Sequence, residues 1–365
     1  MSNNKIVHYN LDPLDSKDAD FNWIQGEKGN GKSYQVKHKK AVVKYLKKGK
    51  RFIYLRRWKE EITTDKVESY FADVDVNKLT GGQYNCITTW RKQLFLSFYD
   101  QEQMKTKRGE KIGYVMALSR EQQFSGGSFL DVEDIIFEEF ISRDEYIANE
   151  PLKLMYLYST VDRKRHKVRV WMCGNTVSKI CPYVQDWGLS KILSEQKPGS
   201  IIEKDMFTGD YDEHGDPVTV KLAIEYCPSV GRSSFVFGKA TQTINSGGWQ
   251  AEPQPQLPFS KKECKIIFRF IFFYSGFKFI CELLQHDKET FWFIFPYKGK
   301  IQKNIIVFSD IIKTSPYWQC DIYNTDFKNE RLNRLFKTFR EKSIFYSSDL
   351  CGTDFKQAIN FIIRK

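Results

Sequence analysis

The sequence predicts an α/β protein: a P-loop domain on a mainly parallel sheet, followed by a smaller α+β domain. Three observations carry this. Short apolar strand candidates alternate with helical stretches through the first half of the chain. A glycine-rich phosphate-loop motif sits between the first strand and the first helix. Beyond a Gly/Pro-rich stretch the pattern changes to a β-meander closed by two helices.

Taken in order, residues 21–25 form a short strand running into a glycine-rich turn. Residues 32–48 have helical spacing (Val42, Tyr45, Leu46), with Lys47 and Lys48 in the last turn and Gly49 as the C-terminal cap. Residues 52–55 are a second strand, and 135–137, after the polar 132–134, a third. A helix over 152–163 leads into a fourth strand, 168–173. Residues 93–117 read as a hairpin with a charged tip at Lys105, Lys107, Arg108, Gly109 and Lys111. The stretch 206–216 is acidic and turn-rich, and 246–260 contains Gly247, Gly248, Pro253, Pro255 and Pro258, which cannot continue a helix or a central strand. The expected organisation is therefore a P-loop domain over 1–205, an acidic then Gly/Pro-rich linker over 206–260, and a basic domain over 261–365. In the last, strands at 266–274, 277–284 and 291–296 precede two helices. The first has Leu332, Leu335, Phe336 and Phe339 on one face and Arg331, Arg334, Lys337 and Arg340 on another. The second, behind a Thr353 cap, turns Phe355, Ala358, Ile359 and Ile362 inward.

Composition excludes several classes. With 365 residues and 41% hydrophobic content the chain can bury more than one core, so it is not disordered throughout. Its most apolar stretch, 266–280, is interrupted by Arg269 and Lys278 and reads as strands, not as a membrane span. Residues 1–10 have no apolar signal core, which gives an intracellular expectation. Eight cysteines without a C-x-x-C pair or a nearby histidine argue against a zinc site and a disulfide framework, and for reduced thiols. The net charge of +12 divides as +7 over 1–205, −3 over 206–260 and +8 over 261–365. Two basic blocks suit a polyanionic partner, and equally suit simple solubility.

Gly26-Glu27-Lys28-Gly29-Asn30-Gly31-Lys32-Ser33 fits G-x-x-x-x-G-K-[ST] without a mismatch. Glycines let backbone N–H groups curl around a phosphate, Lys32 reaches the β- and γ-phosphates, and Ser33 ligates Mg²⁺. A helix starting near Gly31 adds its positive end. A nucleotide site follows, which needs an acidic partner at the end of an apolar strand. Glu138 and Glu139, after Ile135-Ile136-Phe137, supply two acids: Glu138 for the Mg²⁺ shell and Glu139 to polarise the attacking water. That second glutamate favours hydrolysis over transfer to an acceptor. No N-K-x-D guanine motif is present (Asn77-Lys78-Leu79-Thr80 ends wrongly), so ATP is expected. The basic run Arg163-Lys164-Arg165-His166-Lys167 suits a solvated helix end or an arginine finger reaching a neighbouring subunit. Asn175 is a candidate γ-phosphate sensor or a turn residue.

These motifs resemble the DNA-packaging ATPases of phi-29-like tailed bacteriophages, a terminase-like group. The likeness rests on 26–33 with its basic Lys28, on Arg51-Phe52-Ile53-Tyr54-Leu55-Arg56-Arg57, on 135–140, and on Val161-Asp162-Arg163-Lys164-Arg165 leading into Cys173-Gly174-Asn175-Thr176-Val177-Ser178. It covers most of 20–185 and is weaker beyond 260. The resemblance implies an additional-strand, catalytic-glutamate ATPase with ATP and Mg²⁺ as cofactors. It further implies a homopentameric ring at one procapsid vertex that drives double-stranded DNA inward. Portal ring and DNA are the implied partners, with a structural prohead RNA as a further candidate. The place is the host bacterial cytoplasm, docked transiently on the procapsid, and absent from the mature virion. Lys32, Ser33, Glu138 and Glu139 fall on matching motif positions, and Arg163 falls where the family has its arginine acting in trans. Glu138 departs from the usual Asp, which leaves the metal geometry open.

The family's C-terminal domain is similar to an RNase H-like nuclease without its catalytic acids. Here the strand 266–274 has no carboxylate, whereas a two-metal nuclease needs clustered acids. Glu282, Asp287 and Glu289 read as turn and edge residues. No cleavage is expected, and the charge of this domain is assigned to DNA, RNA or capsid contact. Helix 331–340 is either a contact or a solvated face. Candidate DNA grips are Lys105, Lys107 and Arg108 of the hairpin, with Arg57 and Lys59 at a turn; such contacts are to phosphates and indifferent to sequence. Two alternatives stay open: a helicase-like motor on single strands, or a nucleotide-binding assembly protein without turnover.

Overall fold

A computed structural model describes residues 9–142, 145–228, 253–301, 305–312, 318–322 and 330–363. The chain forms two compact units. One comprises residues 1–176 and 196–248, the other 177–195 and 249–365.

The first unit is built on a nine-stranded sheet in the order β3-β4-β5-β2-β6-β7-β1-β9-β8. Its strands are β1 (Phe21–Gly26), β2 (Arg51–Arg56), β3 (Cys86–Trp90), β4 (Gln93–Asp100), β5 (Lys105–Ala117), β6 (Val132–Glu138), β7 (Arg169–Asn175), β8 (Ser200–Tyr211) and β9 (Pro217–Tyr226). The central strands β5, β2, β6, β7, β1 and β9 run parallel, as the strand–helix alternation predicts, and antiparallel hairpins flank them. Burial on both faces explains the apolar runs, since every residue of β1 is buried. α1 (Lys32–Val36) continues through a π-helical stretch (Lys37–Val43) into α2 (Lys44–Lys48), which Gly49 closes at φ 66°. α3 (Thr64–Phe71) packs Phe71 against Phe52 and Tyr54 of β2. α4 (Glu150–Asp162) leads into β7.

Register places the site. Gly26 lies beside Asn175, and Glu138 beside Cys173, so the carboxyl ends of β1, β7 and β6 open side by side. In open α/β sheets this is where ligands bind.

The second unit carries a six-stranded sheet in the order β14-β13-β10-β11-β12-β15. β10 (Lys265–Tyr274), β11 (Phe277–His286) and β12 (Glu289–Pro296) form the expected meander. β13 (Ile306–Ser309) runs parallel to β10, β14 (Trp318–Asp321) to β13, and β15 (Ile344–Tyr346) to β12. α5 (Glu330–Glu341) and α6 (Asp349–Ile363) complete it. Phe270, Phe272, Trp292 and Phe355 centre its core, with Phe270 5.4 Å from Trp292 and Phe272 5.0 Å from Phe355.

Several expectations are corrected. Residues 206–226 are not linker: 206–211 and 217–226 lie in β8 and β9, paired at the edge of the sheet and joined by a turn over 212–216, and the acidic end of this hairpin is largely exposed. Alternation in Thr219–Ala223 was masked by the turn residues before it. Of the Gly/Pro-rich boundary, 229–252 lie outside the described residues. Residues 177–195 join the second unit, ahead of the expected boundary. The 93–117 hairpin exists, but its tip is 101–104, and Lys105–Lys111 lie in the exposed first half of β5. α6 begins at Asp349, with Ser348 Oγ accepting from the Cys351 N–H at 3.2 Å, so Thr353 sits inside the helix. Glu282 is no edge residue: it is buried mid-strand in β11, 2.8 Å from Arg269 Nε, and paired with Lys261. In α5, Leu335 and Phe339 pack on the core while Arg334, Lys337 and Arg340 are exposed; the side chains of Arg331, Leu332 and Phe336 lie outside the described residues.

Candidate nucleotide site

The loop between β1 and α1 is shaped by its own residues. Gly29 and Gly31 have φ of 81° and 94°, a region that penalises any Cβ. The Asn30 side chain accepts from the Lys32 N–H at 3.1 Å, which fixes the last turn of the loop. Lys32 is buried, and its ammonium donates to the Glu27 carbonyl at 3.0 Å and to Asn175 Oδ1 at 2.7 Å. Burial pushes the lysine below its ordinary pKa.

Glu138, the last residue of β6, is buried behind the loop. Its Oε2 accepts from Ser33 Oγ at 2.9 Å and its Oε1 from the Tyr70 hydroxyl at 2.6 Å. Burial raises its pKa against the opposing pull of those two donors. The next residue, Glu139, turns back at φ 56° and carries a largely exposed carboxylate, 2.7 Å from Arg56 Nη2. Two adjacent glutamates thus sit in opposite environments. Glu138 is enclosed with a serine hydroxyl, while Glu139 faces solvent at the mouth of the site. The oxygen-only donors Ser33 and Glu138 suit a hard divalent cation such as Mg²⁺.

The remaining candidates divide. Asn175 ends β7, not past it, and reaches the phosphate lysine. Lys28 is exposed on the loop. Arg163 caps α4 at φ 48°, and its exposed guanidinium donates to the Gly127 carbonyl at 2.6 Å. Lys59, Lys105 and Lys107 are exposed, whereas Arg108 lies 4.7 Å from the Trp90 ring, which Arg91 also covers at 4.3 Å. Arg57 is no surface grip. It is buried, forks onto Glu150 at 2.7 and 3.0 Å, and donates to the carbonyls of Glu139 (3.1 Å) and Phe140 (2.6 Å). An arginine beside exposed Lys59 looks like surface until Glu150, 93 residues on, is seen to fill its fork.

Sequence reasoning missed Tyr70, Arg56 and the Trp90 platform. A lone tyrosine on α3 has no signature. Arg56 was visible only as one of two adjacent arginines. Trp90 beside Arg91 was legible as an exposed aromatic among cations, had the turn between β3 and β4 been placed.

The model of the Podovirus DNA encapsidation protein (Gp16) family matches residues 3–196. The DNA packaging protein of Bacillus phage phi29 is 32% identical over 182 residues, covering 49% of this chain and 49% of that protein. That of Bacillus phage B103 is 34% identical over 183 residues, covering 48% of this chain and 50% of its own length. The chain thus spans about half the length of the curated relatives it matches. Over the whole chain, the bacteriophage phi-29 viral genome packaging motor assembly aligns with a TM-score of 0.50 and 21% identity, covering 98% of each chain, a likeness of fold.

Proposed function

The chain belongs to the Podovirus DNA encapsidation protein (Gp16) family, and from that premise we propose that it hydrolyses ATP in an oligomeric ring to drive double-stranded DNA into a procapsid. The observation that carries the reading is the meeting of Ser33 and Glu138 at 2.9 Å with Glu139 next in the chain. Ser33 and the buried Glu138 would hold Mg²⁺, and the exposed carboxylate of Glu139 beside them would orient water. The strand order supports the additional-strand, catalytic-glutamate class, because β7 separates the loop strand β1 from the acid strand β6.

Each residue has a role. Backbone N–H groups of 29–33 cradle the phosphates, and Lys32 leaves its protein acceptors for phosphate oxygens. Asn175, losing that ammonium, is freed to sense the γ-phosphate. Mg²⁺, when bound, neutralises phosphate charge. Glu139 leaves Arg56 and takes a proton from the attacking water. Arg163 leaves the Gly127 carbonyl and stabilises charge at a neighbouring subunit's site. The homopentameric ring, the portal and a prohead RNA as partners rest on family membership.

Within the second unit's six-stranded sheet the run β12-β11-β10-β13-β14, three antiparallel strands then two parallel to β10, supports an RNase H-like reading, with β15 added beside β12. Its buried acids are engaged internally: Glu282 with Arg269 and Lys261, Asp354 with Ser178 Oγ and the Lys179 N–H. We assign it no nuclease activity and a role in contact with DNA, RNA or capsid. Among the described residues no helix is long and apolar enough to cross a membrane. ATP turnover with and without double-stranded DNA, in wild type and Glu139→Gln, tests the reading. DNA-stimulated turnover lost in the variant supports it, and a wild type that binds ATP without hydrolysing it removes it.

A further inference from the structure

We propose that Tyr70 is a positioning residue for the metal-side carboxylate, holding Glu138 so that one of its oxygens is reserved for Ser33 and the cation. The inference rests on the ATP-site reading above and names a residue outside the phosphate loop and the acidic strand end.

The geometry is specific. The two oxygens of Glu138 are divided between two donors, Oε1 to the Tyr70 hydroxyl at 2.6 Å and Oε2 to Ser33 Oγ at 2.9 Å. Glutamate has one more rotatable bond than aspartate, so a buried glutamate in this position needs something to fix its terminal torsion. The tyrosine hydroxyl does that with a short hydrogen bond to Oε1.

Tyr70 is itself held without help from its hydroxyl. Its ring lies 4.6 Å from Tyr54 of β2 and 4.9 Å, edge-on, from Phe71. The Lys37 ammonium sits 4.4 Å from the ring centroid and donates to the Tyr70 carbonyl. Lys37 opens the π-helical stretch that follows the phosphate loop, so the clamp ties the loop's helix to α3. Phenylalanine at this position keeps every ring contact and removes only the bond to Glu138.

The test is Mn²⁺ binding, followed by electron paramagnetic resonance, to the full chain with a saturating non-hydrolysable ATP analogue. It compares wild type, Tyr70→Phe, Glu138→Asp and the double variant, with analogue affinity in chelator and the thermal midpoint as controls. Loss of an orienting partner to a metal ligand weakens metal binding by about tenfold or more. Tyr70→Phe is expected to do so while metal-free affinity and melting stay at wild-type values. In the Glu138→Asp background the shorter carboxylate no longer spans both donors, so Tyr70→Phe adds nothing further. Wild-type Mn²⁺ affinity in Tyr70→Phe, or an equal loss in both backgrounds, overturns the positioning role alone. A wild type that binds no Mn²⁺-nucleotide overturns the ATP site and this role with it.

Discussion

The ammonium of Lys32 and the side-chain oxygen of Asn175 meet at 2.7 Å, tying the phosphate loop to the end of the neighbouring strand β7. Strand register makes this contact, since Gly26 and Asn175 are paired residues 149 positions apart. Asn175 therefore keeps a buried lysine satisfied, and on the proposed nucleotide reading phosphate takes its place. Asn175→Ala is expected to lower single-turnover ATP hydrolysis by about tenfold, the scale of one lost hydrogen bond to a charged group. ATP affinity should change less, which nucleotide titration against the same preparation checks.

Arg57 and Glu150 predict a stability effect. The side chains are 4% and 0% exposed, and the arginine also holds the carbonyls of Glu139 and Phe140. Removing one partner of such a pair leaves a buried charge and costs about 3–5 kcal/mol. Arg57→Ala should lower the denaturation midpoint accordingly, measured by urea titration. Lys59→Ala, exposed and two residues away, should leave it unchanged.

Asp354 gives a pH dependence. Burial pushes its pKa from 3.8 up to about 6, against donors Ser178 and Lys179 N–H. Between those values the folded chain keeps a proton that the unfolded chain has released. Stability from this group is therefore fully present below about pH 4, falls as pH rises to about 6, and is level above. The loss approaches about 3 kcal/mol for a shift of two units. Asp354→Asn should flatten that slope in urea titrations of the second unit between pH 4 and 7.

The exposed cations of β5 are the candidate DNA grips, and that assignment predicts a salt-dependent DNA affinity. Lys105 and Lys107 project from its solvent-facing half, with Arg108 against Trp90. Each phosphate contact removed should reduce the slope of log affinity against log salt by about 1. Lys105→Ala with Lys107→Ala should reduce it by about 2 on any duplex sequence, measured by fluorescence anisotropy.

The sequence shows what depends on local pattern. The phosphate loop, the glutamate pair after Ile135-Ile136-Phe137 and the strands β1, β2, β6, β7 and β10–β12 are legible because spacing and alternation are local properties. Pairings across long separations are not. Arg57 reads as surface because its partner Glu150 is 93 residues away, and Glu282 reads as a turn residue because Arg269 and Lys261 neutralise it from another strand and a preceding turn. The β8–β9 hairpin was hidden for a different reason: its exposed acidic tip dominates the composition that its buried half would otherwise reveal. Tyr70 needed the fold of α3 against β2 before its hydroxyl could be placed on Glu138.

The most direct test of the motor is a mixing experiment. ATP turnover is measured with and without double-stranded DNA for wild type, Glu139→Gln, Arg163→Ala and an equimolar mixture of the two variants. Losing a general base costs about 100- to 10,000-fold, and losing an arginine that acts in trans about 1,000- to 100,000-fold, so each variant alone should be nearly inactive. Activity recovered in the mixture would place Arg163 at the neighbour's site, as a ring ATPase requires. Normal hydrolysis by Arg163→Ala in a DNA-stimulated assembly would contradict that assignment, and a wild type that never turns ATP over on DNA would contradict the motor itself.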